Sequence, residues 1–317
     1  MLFHYGKKFL VINFHNMANR ILEKQNESRF IDMLSAQRHL YNVAKRWDTV
    51  QLWFCVIIVI VVNFIKLLLP KDFCLLSFSY EDITHWITIY GVIVLILQNC
   101  LAAKVSSNKL LAARIQQLFD CSLFQLHWNK ALCGDKPQPE EISRNLGKED
   151  VDNLHDWYSL EINPLNEVKS SLVCMRSNVY YDYGIRRMYI KGMHCIVWTI
   201  LFLLAVVFGI QNANWWNIVV IGIVPLLPAV KWLYDVHRQN FTNLKSLEHI
   251  KRLLASAFDK VKNQEAIDIF DLEQIQNFIF IHRKTSFLIP SWIYKLLRKQ
   301  SEKDMNYSVK QIVQDIL

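Results

Sequence analysis

The fold is decided by one uncharged stretch, Gly192–Val230, which reads GMHCIVWTILFLLAVVFGIQNANWWNIVVIGIVPLLPAV and contains no Asp, Glu, Lys or Arg. One helix needs about 20 residues to cross a hydrocarbon core of ~30 Å, so this stretch is nearly twice as long as one span. A polar cluster, QNAN, lies near its centre at 211–214. We therefore predict a transmembrane hairpin with spans at 192–210 and 215–230, the second bent by Pro225 and Pro228.

Two earlier blocks have the same character. One is free of charge between Asp48 and Lys66 and resumes as an apolar stretch through Leu69; the other is uncharged between Asp82 and Lys104. They predict a first hairpin over 49–103, with spans at about 50–69 and 84–103. Any single block could be the buried core helix of a soluble protein, but three such blocks together favour a membrane protein with four spans.

The composition agrees, since 52% hydrophobic and only 20% charged residues is more apolar than an average soluble chain. The net charge of +8 could indicate binding to nucleic acid, binding to anionic lipid, or a bias of positive charge to the cytoplasmic side of a membrane. The positions of the charged residues favour the last. Lys and Arg number eight in 1–48, twelve in 104–191 and fourteen in 231–317, against Lys71 alone in the first outer loop. By the positive-inside rule we predict both termini and the middle loop on the cytoplasmic side, and we predict no nucleic-acid polymer as partner.

Outside the spans the sequence predicts helices and no strands, hence an all-α fold. Ser28 can cap a helix that continues towards the first span. Residues 104–191 form a helical insert, in which the second span runs on as a helix until GDKPQPEE at 134–141 breaks it. A helix from about Asn166 through Arg187 then leads into the third span.

The C-terminal region, 231–317, carries further amphipathic helices. Asp271 and Gln274 resemble a capping box, and two separate helices are expected after Pro290. The apolar stripes can pack within one bundle or form an oligomer interface, and packing within the chain is favoured. Two stripes carry this argument: Leu247, Ile250, Leu253, Leu254, Phe258 and Val261 in one helix, and Leu272, Ile275, Phe278, Ile279 and His282 in the next.

The motifs of common enzymes are missing. No phosphate-binding loop, dinucleotide fingerprint, nucleophile elbow or zinc-protease motif is found, and the seven cysteines, with no Cys-x-x-Cys pair, are interpreted as free thiols. The pair His155-Asp156 could be an acid/base or metal pair, but a solvated helix start is favoured. The run His282-Arg283-Lys284 could bind an anion, but charge runs are more typical of a solvated face. We predict no enzyme activity, no cofactor and no metal.

The predicted spans contain no Asp or Glu, which argues against a proton-coupled transporter. Their neutral polar side chains can join helices or line a water path, and joining helices is favoured. One four-helix bundle is too narrow for a water-filled pore, so a pore requires a homo-oligomer. The candidates for pore lining or helix contact are Asn63, Thr84, Thr88, Gln98, Asn99 and Thr199, together with the two prolines of the fourth span.

Three regions carry a family resemblance: LSAQRHLYNVAK at 34–45, DWYSL followed by VCMRSNVYYDYGIRRMY at 156–189, and IQNFIFIHRKTSFLIPSWIYKLLRKQSEKDM at 275–305. With them the chain resembles the SMODS-associated four-transmembrane effectors of bacterial cyclic-oligonucleotide antiphage signalling (CBASS), described as pore formers. The resemblance implies an inner-membrane effector that a nucleotide messenger or partner switches on, so that the infected cell dies.

Under this hypothesis Arg176, Arg186 and Arg187 attract an anionic messenger or anionic lipid, and the bend at Pro225 and Pro228 serves gating. Two other functions stay open. One is a membrane scaffold or sensor that conducts nothing. The other, less favoured, is a membrane-embedded lipid enzyme that uses His155 and Asp156.

Overall fold

The computed structural model describes residues 19–70, 74–75, 78–147, 151–210 and 227–317. Over these residues the regular secondary structure is helical apart from a two-residue antiparallel ladder of β1 and β2, in which Cys74 lies opposite Ser79. The predicted all-α fold is confirmed, while the predicted turn at 211–214 and Pro225 lie outside the described residues. The elements are α1 (Ile21–Lys24), α2 (Ser28–Leu52), α3 (Ile58–Leu68), β1 (Cys74–Leu75), β2 (Phe78–Ser79), α4 (Tyr80–Leu123), α5 (Lys130–Cys133), α6 (Pro139–Arg144), α7 (Glu167–Ile210), α8 (Leu227–Lys262), α9 (Ile269–Thr285) and α10 (Ser291–Ile316).

Long helices run without interruption from polar into apolar sequence. Helix α2 continues through a π-helical segment, Trp53–Ile57, into α3. Helices α4 and α7 have 44 residues each, which at 1.5 Å per residue is about 66 Å and more than twice the thickness of a hydrocarbon core. Each therefore contains a predicted span and a polar extension in one continuous rod.

The apolar ends of these rods, at residues 53–68, 83–103 and 193–210, turn large hydrophobic side chains outward. Such a surface is unfavourable in water, at about 25 cal/mol per Å² of apolar area. Two helical stretches, Ser28–Lys66 and Tyr80–Leu123, are long and apolar enough to cross a bilayer. Both features indicate membrane association. The exposed side chains include Trp53, Phe54, Val61 and Ile65 near α3, Trp86, Val92 and Ile96 in α4, and Ile196, Trp198, Leu201 and Phe202 in α7.

The remaining helical parts, here termed the bundle, enclose a hydrophobic core around Phe119 of α4. Its ring lies edge-to-face on Phe30 at 5.6 Å between centroids and stacks on Tyr158 at 6.3 Å. The predicted stripes of α8 and α9 close this core, so packing within the chain is confirmed for both. The buried stripe residues are Leu247, Ile250, Leu254 and Phe258 in α8, and Leu272, Ile275 and Ile279 in α9.

Two predicted helix caps are wrong. Helix α2 does begin at Ser28, but the N-cap is Glu27, whose carbonyl accepts the amide of Phe30 at 2.9 Å. Helix α9 begins at Ile269, capped by the Asp268 carboxylate, which accepts the amide of Phe270 at 3.3 Å. The predicted cap residue Asp271 lies inside the helix and binds Lys260 Nζ at 2.6 Å, because its side chain faces α8.

The two predicted C-terminal helices are one continuous helix, α10, of 26 residues. The middle of this helix, residues 298–308, contains neither Gly nor Pro. It also has side-chain pairs at i and i+4 that stabilise a helix: Arg298 Nε binds Glu302 Oε1 at 2.5 Å, and Gln300 donates to Asp304 at 2.8 Å.

Helix α4 ends at Leu123, well before the predicted breaker at 134–141. It ends because Gln125 adopts a left-handed conformation, φ 57°, which lets the amide of Leu126 donate to the Cys121 carbonyl at 2.9 Å. Helix α8 ends in the same way at Lys262, where Gln264 has φ 59° and the amide of Glu265 donates to the Lys260 carbonyl at 2.9 Å. This motif normally uses glycine, so a glutamine in its place left no signal in the sequence.

We predict that Gln264→Gly raises the free energy of unfolding by up to about 1 kcal/mol, because glycine adopts a positive φ without the steric cost of a Cβ. Thermal unfolding in detergent measures this. Lys303→Gly, which places glycine at an exposed position inside helix α10, should lower the free energy of unfolding by about 1 kcal/mol. Equal shifts of the same sign at the two positions would contradict the proposed role of Gln264.

Candidate functional site

A buried polar network crosses the bundle, centred on two adjacent residues of α9, His282 and Arg283. The interpretation of this charge run as a solvated face is wrong for both residues, since His282 is buried and the Arg283 side chain is only 11% exposed. The reason is that each faces a carboxylate on a neighbouring helix. Lys284, the third residue of the run, is exposed.

The first carboxylate is Asp120 of α4, which is 1% exposed. Its Oδ2 lies 2.5 Å from Nη1 of Arg283 and accepts Nε2 of Gln276 at 3.0 Å. Its Oδ1 accepts the hydroxyl of Tyr158 at 2.8 Å, and Asn178 of α7 donates to that hydroxyl at 2.9 Å. One carboxylate therefore links α4, α7, α9 and the loop before α7.

The protonation states around Asp120 follow from burial and charge. Burial, reinforced by the charge of Asp120, raises the pKa of Tyr158 well above its ordinary value, so the hydroxyl stays protonated and donates. Burial alone would lower the pKa of Arg283, but Asp120, together with Tyr158 and Tyr41, outweighs burial and the pKa is raised. Arg283 therefore stays charged inside the bundle, beside the carboxylate of Asp120.

The second carboxylate is Asp182 of α7. Its Oδ2 lies 2.9 Å from Nε of Arg186, one turn later, and 2.6 Å from Nε2 of His282. Arg186 Nη1 also donates to the Phe287 carbonyl at 2.9 Å and to Asn240 Oδ1 of α8 at 3.4 Å. This cluster joins α7, α8 and α9 to the loop that follows α9.

The carboxylate of the Asp182 cluster is ionised. Burial would raise the pKa of Asp182, but Arg186 and the hydrogen bond from His282 outweigh it and hold the pKa well below its usual range. Burial lowers the pKa of His282, with Asp182 opposing. His282 Nδ1 is buried without a hydrogen-bond partner among the described residues. A neutral ring that donates from Nε2 to Asp182 fits both observations.

The loop between α9 and α10 is buried, although loops usually lie on the surface. Buried carbonyls need donors, and two cations supply them here: Lys109 Nζ donates to the Ser286 carbonyl at 3.0 Å, and Arg186 donates to that of Phe287. The Phe287 ring stacks on Tyr189 at 5.9 Å. Nearby, burial raises the pKa of Asp48 to about 7, with Lys109 opposing. The polar network thus reaches the level at which the apolar ends begin.

The three arginines predicted to bind an anion do not lie on one face of α7. Arg186 is buried and occupied by Asp182 and Phe287, so an anion could contact it only by displacing them. Arg176 is half-buried and donates to Ser308 Oγ at 3.0 Å, and Arg187 is exposed. Eleven residues on a helix return to nearly the same face, so Arg176 and Arg187 share one side of α7 and Arg186 another.

Between these two arginines, α7 carries Tyr180 and Tyr183 at helical spacing. Arg176 lies over the Tyr180 ring at 4.0 Å from its centroid. Lys251 of α8 lies over both rings, at 4.7 Å from Tyr180 and 4.1 Å from Tyr183. These five residues, Arg176, Tyr180, Tyr183, Arg187 and Lys251, form a basic–tyrosine stripe on the surface of the bundle.

The candidate polar residues of the spans do not share one face. Asn63 and Gln98 are buried, and Asn63 Nδ2 donates to the Val59 carbonyl at 2.7 Å. Asn99 and Thr199 are exposed, with Thr199 donating to the Cys195 carbonyl at 2.8 Å. Thr84, Thr88 and Pro228 lie within helices α4 and α8.

The pair considered for an enzyme, His155 and Asp156, lies on an exposed turn. Asp156 has a positive φ of 50° and exchanges two hydrogen bonds with the side chain of Asn26, both at 2.9 Å. This arrangement ties the turn to the start of α2.

Comparison with known proteins now identifies the family. The profile of the SMODS-associating 4TM effector domain matches residues 19–312. The chain belongs to this family. It is also 25% identical over 289 residues to "Probable CBASS effector molecule" of Bacillus cereus strain VD146, covering 90% of this chain and 95% of that relative. No solved structure matches it.

The regions of sequence that carry the family resemblance also supply most of the network: Tyr158, Asn178, Asp182 and Arg186 come from 156–189, and Gln276, His282 and Arg283 from 275–305. Sequence reasoning missed Asp120 and Asp182, and it assigned Arg283 to a solvated face. One available signal was His282 at a position of the apolar stripe of α9, which indicated burial of that end of the helix.

Proposed function

We propose that the chain is a multi-pass effector of CBASS in the bacterial inner membrane. Activated by a nucleotide second messenger or a partner protein, it assembles into a homo-oligomer that forms a pore or disrupts the membrane and causes abortive infection. Family membership and the Bacillus cereus relative support the defence role. The outward apolar side chains of α3, α4 and α7 support contact with the lipid bilayer.

The proposed topology has four spans, with both termini and residues 104–191 in the cytoplasm. Exposed cations stand at the base of the apolar ends: Arg46, Lys104, Arg187, Lys191 and Lys231. Cations beside spans are retained on the cytoplasmic side, so this belt supports a cytoplasmic bundle. The second hairpin is completed by a fourth span at 215–230.

One observation carries the mechanism: α9 binds two of the rods that extend into the membrane, α4 and α7. Arg283 holds Asp120 of α4 and His282 holds Asp182 of α7. A ligand or partner that moves α9 therefore changes the packing of the two rods together, because a helix transmits displacement along its length. The network is the element through which binding at the bundle reaches the spans.

The polar residues of the spans divide into two roles in this proposal. Asn63 and Gln98, buried within one copy, join its own helices. Asn99 and Thr199, exposed among apolar side chains, lie at contacts between copies or along the pore. Pro225 and Pro228 bend the fourth span, and the bend is used in gating.

The anionic messenger binds the basic–tyrosine stripe in this proposal. Arg176, Arg187 and Lys251 offer positive charge for phosphates, and the tyrosine rings offer stacking surfaces for bases, a combination that suits nucleotides. Arg186 does not contact the messenger while it holds Asp182.

Leakage of a fluorescent dye from liposomes containing the purified chain tests this function, with cyclic di- and trinucleotides as activators. We expect leakage with one of them. Lys251→Glu should raise the nucleotide concentration for half-maximal leakage about tenfold or more, since roughly 1.4 kcal/mol is a tenfold change in affinity.

Arg252→Glu is the matched control, because Arg252 is the exposed neighbour of Lys251 on α8 and the charge change is identical. It should leave the activation curve unchanged. The non-conducting scaffold would be favoured by a correctly inserted chain that causes no leakage with any of the nucleotides and no depolarisation in infected cells. Equal effects of the two substitutions would remove the stripe as the messenger site.

A further inference from the structure

The first two turns of α10 present an apolar surface that the bundle does not cover. Trp292 is 65% exposed and Leu296, one turn later, is 75% exposed. Lys295 is exposed beside them. Single exposed apolar residues are common, but a Trp and a Leu on one face of a helix next to a lysine form an amphipathic surface.

The opposite face of the same turns fixes their position relative to the spans. Tyr294 accepts a hydrogen bond from Tyr181 at 3.0 Å, and its ring lies 5.1 Å from Nζ of Lys45, just before the first span. Ile293 packs against the cluster that contains Met193, and Trp232 belongs to the same group.

Trp232 makes the connection to the spans direct. It packs against that cluster and also against Cys55 and Val56 of the first span. The start of α10 therefore packs on the same cluster of side chains as Trp232, which also packs against the first span. Trp292 and Leu296, on the uncovered face of these turns, thus lie close to the level where the basic belt begins.

That level is the interface between headgroups and acyl chains, where tryptophan is enriched and lysine stems extend towards phosphate. A second copy of the chain would bring Lys295 towards the basic belt of its neighbour, which is unfavourable. An anionic bilayer surface instead complements the lysine and accepts both apolar side chains. Charge and continuity with the spans thus point to lipid.

We propose that residues 291–298 form a lipid-binding segment, in which Trp292 and Leu296 insert into the headgroup region and Lys295 binds the phosphate of an anionic lipid. The segment directly follows the buried loop held by Lys109 and Arg186, so lipid contact fixes one end of that loop. This inference rests on the membrane-spanning topology proposed above.

The test uses the full chain in nanodiscs of phosphatidylcholine with increasing phosphatidylglycerol, and native mass spectrometry of the lipids that stay bound. Lys295→Glu should weaken phosphatidylglycerol retention about fivefold or more, the effect expected for one basic residue at an anionic surface. Lys303→Glu, an exposed lysine two turns further along α10, should not change it.

Depth is measured separately by quenching tryptophan fluorescence with brominated lipids. The spectrum of the unmodified chain minus that of Trp292→Phe isolates Trp292, which should be quenched most by bromine near the headgroups. Leu296→Ser should reduce this quenching, and Tyr307→Ser should not, since Tyr307 is comparably exposed, at 69%, but distant from the spans.

Equal lipid retention in Lys295→Glu and Lys303→Glu, with Trp292 unquenched in a chain that still resides in nanodiscs, overturns the inference alone. A chain that never incorporates into nanodiscs contradicts the topology on which it rests as well.

Discussion

Replacing Arg283 with methionine should lower the free energy of unfolding by about 3–5 kcal/mol. The substitution leaves Asp120 buried without its cation, and an uncompensated buried charge is far more costly than a missing ion pair. Among the residues that the structure describes, Asp120 would keep the hydrogen bonds from Tyr158 and Gln276 alone. Denaturant unfolding in detergent, followed by far-ultraviolet circular dichroism, measures the change.

Two controls separate the buried pair from the loss of a positive charge as such. Lys284→Met removes a charge from the next residue, which is exposed, and should change stability by less than about 0.5 kcal/mol. The double variant Asp120→Asn with Arg283→Met should be more stable than Arg283→Met alone, since it removes the unpaired carboxylate. A double variant as unstable as the sum of the two single variants would mean that the residues act independently.

The membrane-associated part of the fold could be predicted from the sequence because its signal is local. Charge-free runs of the required length and the stripes of α8 and α9 need only composition and helical period. The helix ends were less predictable for a physical reason: Gln125 and Gln264 take a conformation that is typical of glycine. Likewise, Asp271 fits a capping pattern but is used for an ion pair with Lys260.

The network could not be predicted, because the local sequence around a charged residue in a helix does not show whether its side chain faces solvent or a carboxylate on another helix. Asp120 and Arg283 are far apart in the chain, and only the packing of α9 against α4 brings them together. The arginines of α7 show the same limit. The one-residue step from Arg186 to Arg187 moves the side chain from the interior to the surface, and the sequence alone treats both as a basic pair.

Substitution of Arg186 has the second large expected effect. Arg186→Leu should increase dye leakage without any nucleotide about tenfold or more, within the range of coupling energies of a two-state switch. The substitution releases Asp182, the Phe287 carbonyl and Asn240 at once, and so loosens α7 from α8 and from the buried loop. It should also lower stability, which Asp182→Asn in the same chain should partly restore.

Arg187→Leu is the matched control, and it distinguishes the clamp from a messenger contact at Arg186. Removing the exposed Arg187 should leave stability and nucleotide-free leakage unchanged and weaken only the response to nucleotide. If Arg186 instead bound the messenger directly, Arg186→Leu would lose nucleotide-induced leakage while its stability and nucleotide-free leakage stayed those of the unmodified chain. Because the two residues are adjacent and undergo the same substitution, a difference between them can come only from which side of α7 each occupies.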